Sequence, residues 1–307
     1  MTKFDIITEG LRFPEGPVAL ADGSWLVVEI AGQALTHIAS DGTKTVIAQL
    51  EGGPNGAAMG PDGWVYICNS GGWIYAENDD GMYPIGQSER SGWIERVNLK
   101  TGQVEHLYAG TSEKTLNSPN DLVFDDHGGF WFTDLGKRRA DTRDVGAVYY
   151  AKADGSHIEC AIPLLYEPNG IGLSPDGDRL YVAETPTRRV LAFDIIAPGK
   201  AKFAPWPAPS GGQLVRALPG LNNLDSLAVD SAGHICVAAL GEGGIWDISP
   251  DGATADKTLL PDRFSTNICF GGSDGTTAFA TLSMSGLLVS FPWRRPGLKP
   301  RHQGDLW

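Results

Sequence analysis

The segment Asn169-Gly-Ile-Gly-Leu-Ser-Pro-Asp-Gly177 begins with a polar residue, continues through small and apolar residues, and ends in an Asp-Gly turn. A second apolar run follows at once. Because Gly accepts positive φ, Asp-Gly after an apolar run is a strong signal for a β-hairpin. Five other nine-residue segments align with this one without gaps, and they begin at Glu15, Asn55, Asn120, Asp225 and Asn267. The sequence therefore contains six copies of one predicted hairpin.

Each hairpin is followed by two more strand candidates, for example 92–97 and 103–108 in the second repeat. Six such units, spaced 40 to 65 residues apart, predict an all-β fold, a six-bladed β-propeller with four antiparallel strands per blade. We expect one propeller domain over residues 1–307. WD and kelch repeat signatures are absent, and no segment shows a sustained helical period.

The last repeat lacks an outer strand, and residues 4–8 precede the first repeat without a unit of their own. The simplest solution is that this N-terminal strand joins the last blade. The ring would then be closed, and no long sheet edge would be exposed.

Composition limits the function classes. The 307 residues carry a formal net charge of −13, which disfavours nucleic acid as a partner. The N-terminus does not resemble a signal peptide, and no apolar stretch approaches the length of a membrane span. The four cysteines form no CxxC pair, so we expect buried free thiols and a cytoplasmic protein, either monomer or homodimer.

The first strand of each blade lines the central channel of a propeller. The first residues of the repeats should therefore form a ring around the axis, and these are Glu15, Asn55, Asn120, Asn169, Asp225 and Asn267. Hydrogen bonds among them and to channel water are one explanation. The other is a divalent cation, which would also relieve the repulsion between the two carboxylates.

The donor set indicates the kind of metal. Oxygen donors without thiolate or imidazole favour calcium, magnesium or manganese, and none of the six histidines occupies a ring position. Glu29, Asn69, Asp134 and Glu184 end the neighbouring strands, where they either orient the ligands or are solvated.

Two long loops should lie at the channel mouth. The segment 70–91 contains Trp73 and Tyr75, which either stack on a substrate ring or pack the loop onto its blade. The segment 135–143 is basic within an acidic protein. It could hold a substrate carboxylate, but we favour surface ion pairs.

Four motifs carry a resemblance to a known family: Phe13-Pro-Glu-Gly-Pro17, Ser118-Pro-Asn-Asp-Leu122, Pro168-Asn-Gly-Ile171 and Leu224-Asp-Ser-Leu227. They occur in the order found in the senescence marker protein, gluconolactonase and luciferin-regenerating enzyme family, which the chain resembles over nearly its whole length. The resemblance implies a six-bladed propeller with one catalytic divalent metal, calcium first, with zinc, manganese, magnesium or iron(II) as alternatives. It also argues against the strictosidine synthase-like relatives, which lack the carboxylate pair.

Carried over by motif, the resemblance implies that Glu15, Asn120, Asn169 and Asp225 are the metal ligands. It implies hydrolysis of a lactone, a small cyclic ester, by metal-activated water. Asp225 is our choice for general base, because a metal-bound carboxylate can take a proton from that water, and Glu15 is the second choice. Substrate contacts are expected from Asn55, Asn120, Ser118, Trp73 and Tyr75. Sugar-lactone members have an Arg where this chain has Ser118, so the sugar specificity does not carry over.

Three function classes follow from these residues. The first is a metal-dependent lactonase of the gluconolactonase type. The second is a hydrolase of other cyclic esters or of phosphorus esters at the same metal. The third is a non-catalytic calcium-binding propeller, which would not need an open mouth beneath a long aromatic loop.

Overall fold

A computed structural model describes residues 3–208 and 210–304 of the chain. The first half of the described residues contains β1 (Asp5–Thr8), β2 (Pro14–Ala19), β3 (Trp25–Glu29), β4 (Ala34–Ile38), β5 (Lys44–Gln49), β6 (Pro54–Met59), β7 (Val65–Asn69), β8 (Trp73–Asn78), β9 (Gly81–Gln87), β10 (Trp93–Val97), β11 (Val104–Tyr108), β12 (Pro119–Phe124), β13 (Gly129–Asp134) and β14 (Gly146–Lys152). The second half contains β15 (Ile158–Leu165), β16 (Pro168–Leu173), β17 (Arg179–Glu184), β18 (Arg189–Ala197), β19 (Lys200–Lys202), β20 (Gln213–Ala217), β21 (Asn222–Val229), β22 (Ile235–Gly241), β23 (Ile245–Ile248), β24 (Ala255–Thr258), β25 (Ser265–Gly271), β26 (Thr277–Leu282) and β27 (Leu287–Pro292).

These strands form six antiparallel sheets and one separate hairpin, β8–β9. In chain order the sheets are β2–β5, then β6, β7, β10 and β11, then β12–β15, β16–β20, β21–β24, and finally β25–β27 with β1. The six-bladed propeller predicted from the repeats is therefore confirmed. The fourth blade differs from the prediction of four strands, since β19 and β20 both pair with β18.

The N-terminal strand closes the ring as predicted. It pairs antiparallel with β27, with Asp5 opposite Ser290 and Thr8 opposite Leu288. In addition, each innermost strand contacts the innermost strand of the next blade, and β25 returns to contact β2. The blade with both chain ends is thus held by main-chain pairing, which leaves no unpaired outer edge on β27.

Three glycines directly after ring residues allow the blades to approach closely at the axis. A Cβ on Gly16 would lie 2.6 Å from the Asn55 carbonyl oxygen, and one on Gly56 would lie 2.6 Å from that of Asn120. The same holds for Gly170 and the carbonyl oxygen of Asp225, also at 2.6 Å. A larger residue at these positions would force the ring apart.

The apolar core lies between the blades, where aromatic side chains such as Trp131, Tyr66 and Tyr149 are almost fully buried. All four cysteines are free thiols. The prediction of burial holds for Cys68 and Cys236, whereas Cys269 is only half-buried. It is wrong for Cys160, which is exposed on the outer strand β15. Among the described residues, no helix has the length and apolarity needed to cross a membrane.

Candidate functional site

The ring residues lie where the innermost strands are bulged. In all six blades the register between the first and second strands shifts at or beside the ring position, for example between Glu15 and Val18. A bulge re-aims a side chain and interrupts pairing locally. The irregularity therefore turns one polar side chain per blade into the channel, where all six are 2–8% exposed.

Five ring residues line one cavity of about 420 Å³, called here the mouth cavity: Glu15, Asn55, Asn120, Asn169 and Asp225. Asn267 does not line it. Its Nδ2 donates to Glu15 Oε2 at 2.7 Å, and its side chain lines a second cavity of about 160 Å³ further along the channel. The predicted ring of six at one level is thus a ring of five, with Asn267 holding the carboxylate of Glu15 in place.

Three buried amide oxygens in the mouth cavity have no hydrogen-bond partner: Asn55 Oδ1, Asn120 Oδ1 and Asn169 Oδ1. Leaving one buried acceptor unsatisfied costs about 1–3 kcal/mol, so three that converge on one cavity require a partner from outside the chain, either water or a bound cation. Mutual hydrogen bonding within the ring, one explanation offered by the sequence, does not satisfy these oxygens. Together with two carboxylates they form an all-oxygen donor set that suits calcium or magnesium.

The two ring carboxylates are held in an unfavourable environment. Burial raises the pKa of Glu15 from its ordinary 4.5 to about 7, although hydrogen bonds from Asn267 and Gly16 oppose the rise. Burial raises the pKa of Asp225 well above its usual range, and the charge of Glu15 adds to the rise. A divalent cation between them would remove both penalties, so the residues present fit such an ion.

A third buried carboxylate, Asp121, was not singled out from the sequence. It lines the second cavity, and burial together with the charge of Glu15 raises its pKa to about 8. A signal was available, because the residue after the ring position is Gly, Ser or Ile in the other five repeats and charged only here.

The raised pKa values of these carboxylates lead us to expect that the stability of the metal-free protein depends on pH. The folded state holds protons on Glu15 and Asp121 more tightly than the unfolded chain does. Their contribution to stability is therefore complete below about pH 4 and is lost as the pH rises through about 7 and 8. In chelator, the melting temperature should fall over this window, and saturating calcium should reduce the fall by removing the contribution of Glu15. The Asp121→Asn variant should show a shallower slope, whereas a flat or rising melting temperature in chelator would contradict the prediction.

A second group of ligand-type atoms lies away from the channel. Asp230, Cys236 and Asp247 bring three such atoms within 4.8 Å of one another, a spacing that could hold a metal. However, Arg295 Nη2 donates to both carboxylate oxygens of Asp247 at 2.6 and 2.7 Å, and its Nε pairs with Asp230. His234 adds a further contact to Asp247 at 2.7 Å. These charges are already compensated, so the ring is the better candidate.

The residues that end the second strands hold the loops that lead into the ring strands. Glu29, Asn69, Asp134 and Glu184 are buried, so of the two alternatives offered by the sequence, that of solvated strand ends is wrong. Each accepts a hydrogen bond from a backbone N–H two or three residues before a ring residue: Arg12 to Glu29 at 2.7 Å, Gly53 to Asn69 at 2.8 Å, Ser118 to Asp134 at 2.8 Å, and Tyr166 to Glu184 at 2.9 Å. They thus orient the backbone that carries the ring residue and not its side chain.

The segment 70–91 is ordered as the hairpin β8–β9 and is not an irregular loop. Its tip reaches blade six, where Met82 N donates to the Met284 carbonyl oxygen at 3.0 Å. Near its base, Gln87 Oε1 accepts a hydrogen bond of 2.7 Å from Arg138 N. The hairpin is therefore fixed at both ends beside the mouth cavity.

Trp73 and Tyr75 on this hairpin line the mouth cavity. Their polar atoms, Trp73 Nε1 and the Tyr75 hydroxyl, are buried without a hydrogen-bond partner. Tyr75 also packs on Phe13 with ring centroids 5.0 Å apart, so it both anchors the hairpin and lines the cavity. Burial, and then the charge of Glu15, raises the pKa of Tyr75 well above its usual range.

Ser118 is fully buried and does not line the mouth cavity. Its hydroxyl points to the Ser70 carbonyl oxygen at 3.4 Å. We therefore do not carry Ser118 forward as a substrate contact.

Two of the four cationic side chains in the basic segment 135–143 are neutralised by other parts of the chain. Arg139 pairs with Glu89 and Asp144, both at 3.1 Å, and Arg143 pairs with Glu167 at 3.1 Å. These contacts are of the kind we favoured from the sequence. Arg138 differs, because among the described residues it has no ion pair and it lines the mouth cavity.

Comparisons with known proteins agree with this architecture. Residues 13–284 match the family model described as SMP-30/Gluconolactonase/LRE-like region. The lactonase drp35 of Staphylococcus saprophyticus is 26% identical over 262 residues, which cover 84% of this chain and 73% of the relative. The gluconolactonase of Zymomonas mobilis is 26% identical over 313 residues, which cover 92% of this chain and 79% of the relative.

Among solved structures, a calcium-binding protein, regucalcin, from Agrobacterium tumefaciens superposes with a TM-score of 0.74. It is 21% identical, and the match covers 97% of this chain and 98% of that one. This likeness shows a shared fold.

Proposed function

The chain belongs to the SMP-30/gluconolactonase/LRE-like family, and on this premise we propose that it is a metal-dependent lactonase whose reaction takes place in the mouth cavity. The observation that carries the proposal is the set of three unpartnered amide oxygens and two buried carboxylates on five different blades. Lactonases and gluconolactonases among the relatives support the reaction class.

We assign Glu15, Asn120, Asn169 and Asp225 to the cation. Their oxygens are hard donors on rigid innermost strands, and Asn267 and Gly16 N hold the Glu15 carboxylate at 2.7 Å each. Calcium is our first choice, in keeping with the regucalcin of the same fold, which is a calcium-binding protein. When bound, a divalent cation supplies a Lewis acid that polarises a carbonyl and lowers the pKa of nearby water and carboxyl groups.

Asp225 is our choice for general base. Its carboxylate lines the cavity, and it can accept a proton from the water whose oxygen attacks the lactone carbonyl carbon. As the ring C–O bond breaks, the same proton passes to the departing alkoxide. The product is a hydroxy acid with one new hydroxyl group, and its carboxyl group becomes a carboxylate by releasing the second proton of the attacking water to solvent.

Trp73, Tyr75 and Asn55, which line the mouth cavity, can position the lactone. Trp73 Nε1 and the Tyr75 hydroxyl are unpartnered donors, and Asn55 Oδ1 is an unpartnered acceptor. These three groups can bind ester or hydroxyl oxygens of a substrate without displacing any contact within the protein. The aromatic faces of Trp73 and Tyr75 can stack on its ring.

The test is to strip the protein with chelator and measure hydrolysis of D-glucono-1,5-lactone, D-xylonolactone and dihydrocoumarin. Calcium, zinc, manganese, magnesium or iron(II) is then added back, with metal binding measured in parallel. We expect turnover to disappear with chelation and to return with at least one ion, because the carboxylates and amides alone offer no Lewis acid. Tight binding of one ion per chain without turnover of any lactone would instead indicate a non-catalytic calcium-binding propeller.

A further inference from the structure

The arginines of this chain divide sharply by their partners. Ten of the fourteen form an ion pair with a carboxylate, namely Arg12, Arg90, Arg96, Arg139, Arg143, Arg179, Arg189, Arg294, Arg295 and Arg301. Two others donate to backbone carbonyls, Arg188 to Gly220 at 2.6 Å and Arg216 to Gly252 at 3.0 Å. In a protein with net charge −13, an arginine without a partner is therefore the exception.

The exceptions are Arg138 and Arg263, and both line the mouth cavity. Within the described part of the chain, neither guanidinium has an ion pair or a hydrogen bond to protein. They come from different walls, since Arg138 follows β13 and Arg263 precedes β25. Both side chains are exposed and free to reach a ligand.

No carboxylate that lines the mouth cavity is available to neutralise these two arginines. The third carboxylate at its wall, Glu167, is already paired with Arg143 at 3.1 Å. Under the proposed function, the carboxylates of Glu15 and Asp225 balance one divalent cation. The loaded cavity then carries an excess of two positive charges that no group lining it neutralises.

We propose that the substrate is an anionic lactone, one that carries a carboxylate substituent bound by Arg138 and Arg263. A guanidinium presents a planar pair of donors that matches a carboxylate and remains charged at all relevant pH values. Hydrolysis of such a lactone adds water across the ring ester bond and yields a hydroxy dicarboxylate. This inference rests on the proposed lactonase function and specifies its substrate class.

The experiment compares matched pairs of lactones on the metal-loaded enzyme. D-glucaro-1,4-lactone and D-glucono-1,4-lactone share a ring and differ in one carboxylate. Dihydrocoumarin and its 6-carboxylate form a second pair without sugar hydroxyls. We expect kcat/KM to be about tenfold or more higher for the carboxylate member of at least one pair, and this preference to shrink with added salt.

Substitutions then locate the effect. Arg138→Ala and Arg263→Ala should each lower the ratio of kcat/KM, carboxylate over neutral lactone, about tenfold. Arg139→Ala is the matched control, because Arg139 is adjacent and exposed but already paired with Glu89 and Asp144. It should leave the ratio unchanged. If Arg138 or Arg263 had only a structural role, its substitution would lower kcat/KM for both lactones of a pair equally and leave their ratio unchanged.

The outcomes separate the two proposals. Turnover without preference in either pair, or a ratio that neither substitution changes, overturns the anionic substrate and leaves the lactonase intact. Failure to hydrolyse any of these four lactones, D-glucono-1,5-lactone or D-xylonolactone with any metal overturns the lactonase and, with it, this inference.

Discussion

Replacing Glu15 by Gln is expected to weaken divalent cation binding about a hundredfold or more. Even groups that only hold a metal ligand in place contribute about 10–100-fold to affinity, and Glu15 is proposed to bind directly. Asn267 and Gly16 N already fix the position of its carboxylate. A neutral amide there would leave Asp225 as the single anionic ligand. Calorimetric titration of the stripped protein with calcium measures the change.

Glu95→Gln is the matched control for this variant. Glu95 is also a buried carboxylate with a pKa raised by burial, but it bonds to Trp93 and Asn69 away from the mouth cavity. Its substitution should leave the calcium affinity near that of the wild type. If Glu15→Gln bound calcium as tightly as the wild type, the carboxylate would not be a ligand.

Replacing Asp225 by Asn is expected to reduce kcat about 10²–10⁴-fold even when metal is saturating, because an amide cannot accept the proton of the attacking water. Metal concentration must be raised well above the dissociation constant of the variant, so that lost binding is not mistaken for lost chemistry. The pH–rate profile should also lose the limb that reports the base.

Asp121→Asn provides the comparison for this effect. Asp121 has the same side chain, is buried in the same channel, and likewise has a raised pKa, but it lines the second cavity. We expect it to change kcat far less than Asp225→Asn does. Normal turnover of Asp225→Asn at saturating metal would contradict the base assignment and favour Glu15.

The blade pattern could be predicted because its causes are local. The turn glycines at 23, 63, 128, 177, 233 and 275 all have positive φ, as the hairpin turns require, and the closing strand followed from a count of strands. Positions on the innermost strands were also predictable, since a repeat places equivalent residues at equivalent heights. That Glu15 and Asp225 approach the same cavity follows from this symmetry.

Departures from the repeat could not be predicted, because they depend on contacts between distant segments. Asn267 turns from the mouth cavity to hold Glu15, a residue 252 positions away. Ser118 turns to the Ser70 carbonyl oxygen and leaves the cavity wall. The segment 70–91 forms a hairpin whose tip bonds to Met284 in another blade.

The sequence by itself determined the six blades, the closure of the ring and the polar residue that each blade places at the axis, because turn chemistry and strand alternation act over a few residues. Only the tertiary structure decided which of these polar groups remain without a partner. Whether Asn169 Oδ1 or Arg138 is satisfied depends on every group that the fold brings within hydrogen-bond distance. A binding site is made of such unsatisfied groups, and the physical reason is that a hydrogen bond or ion pair is decided by proximity in space and not in sequence.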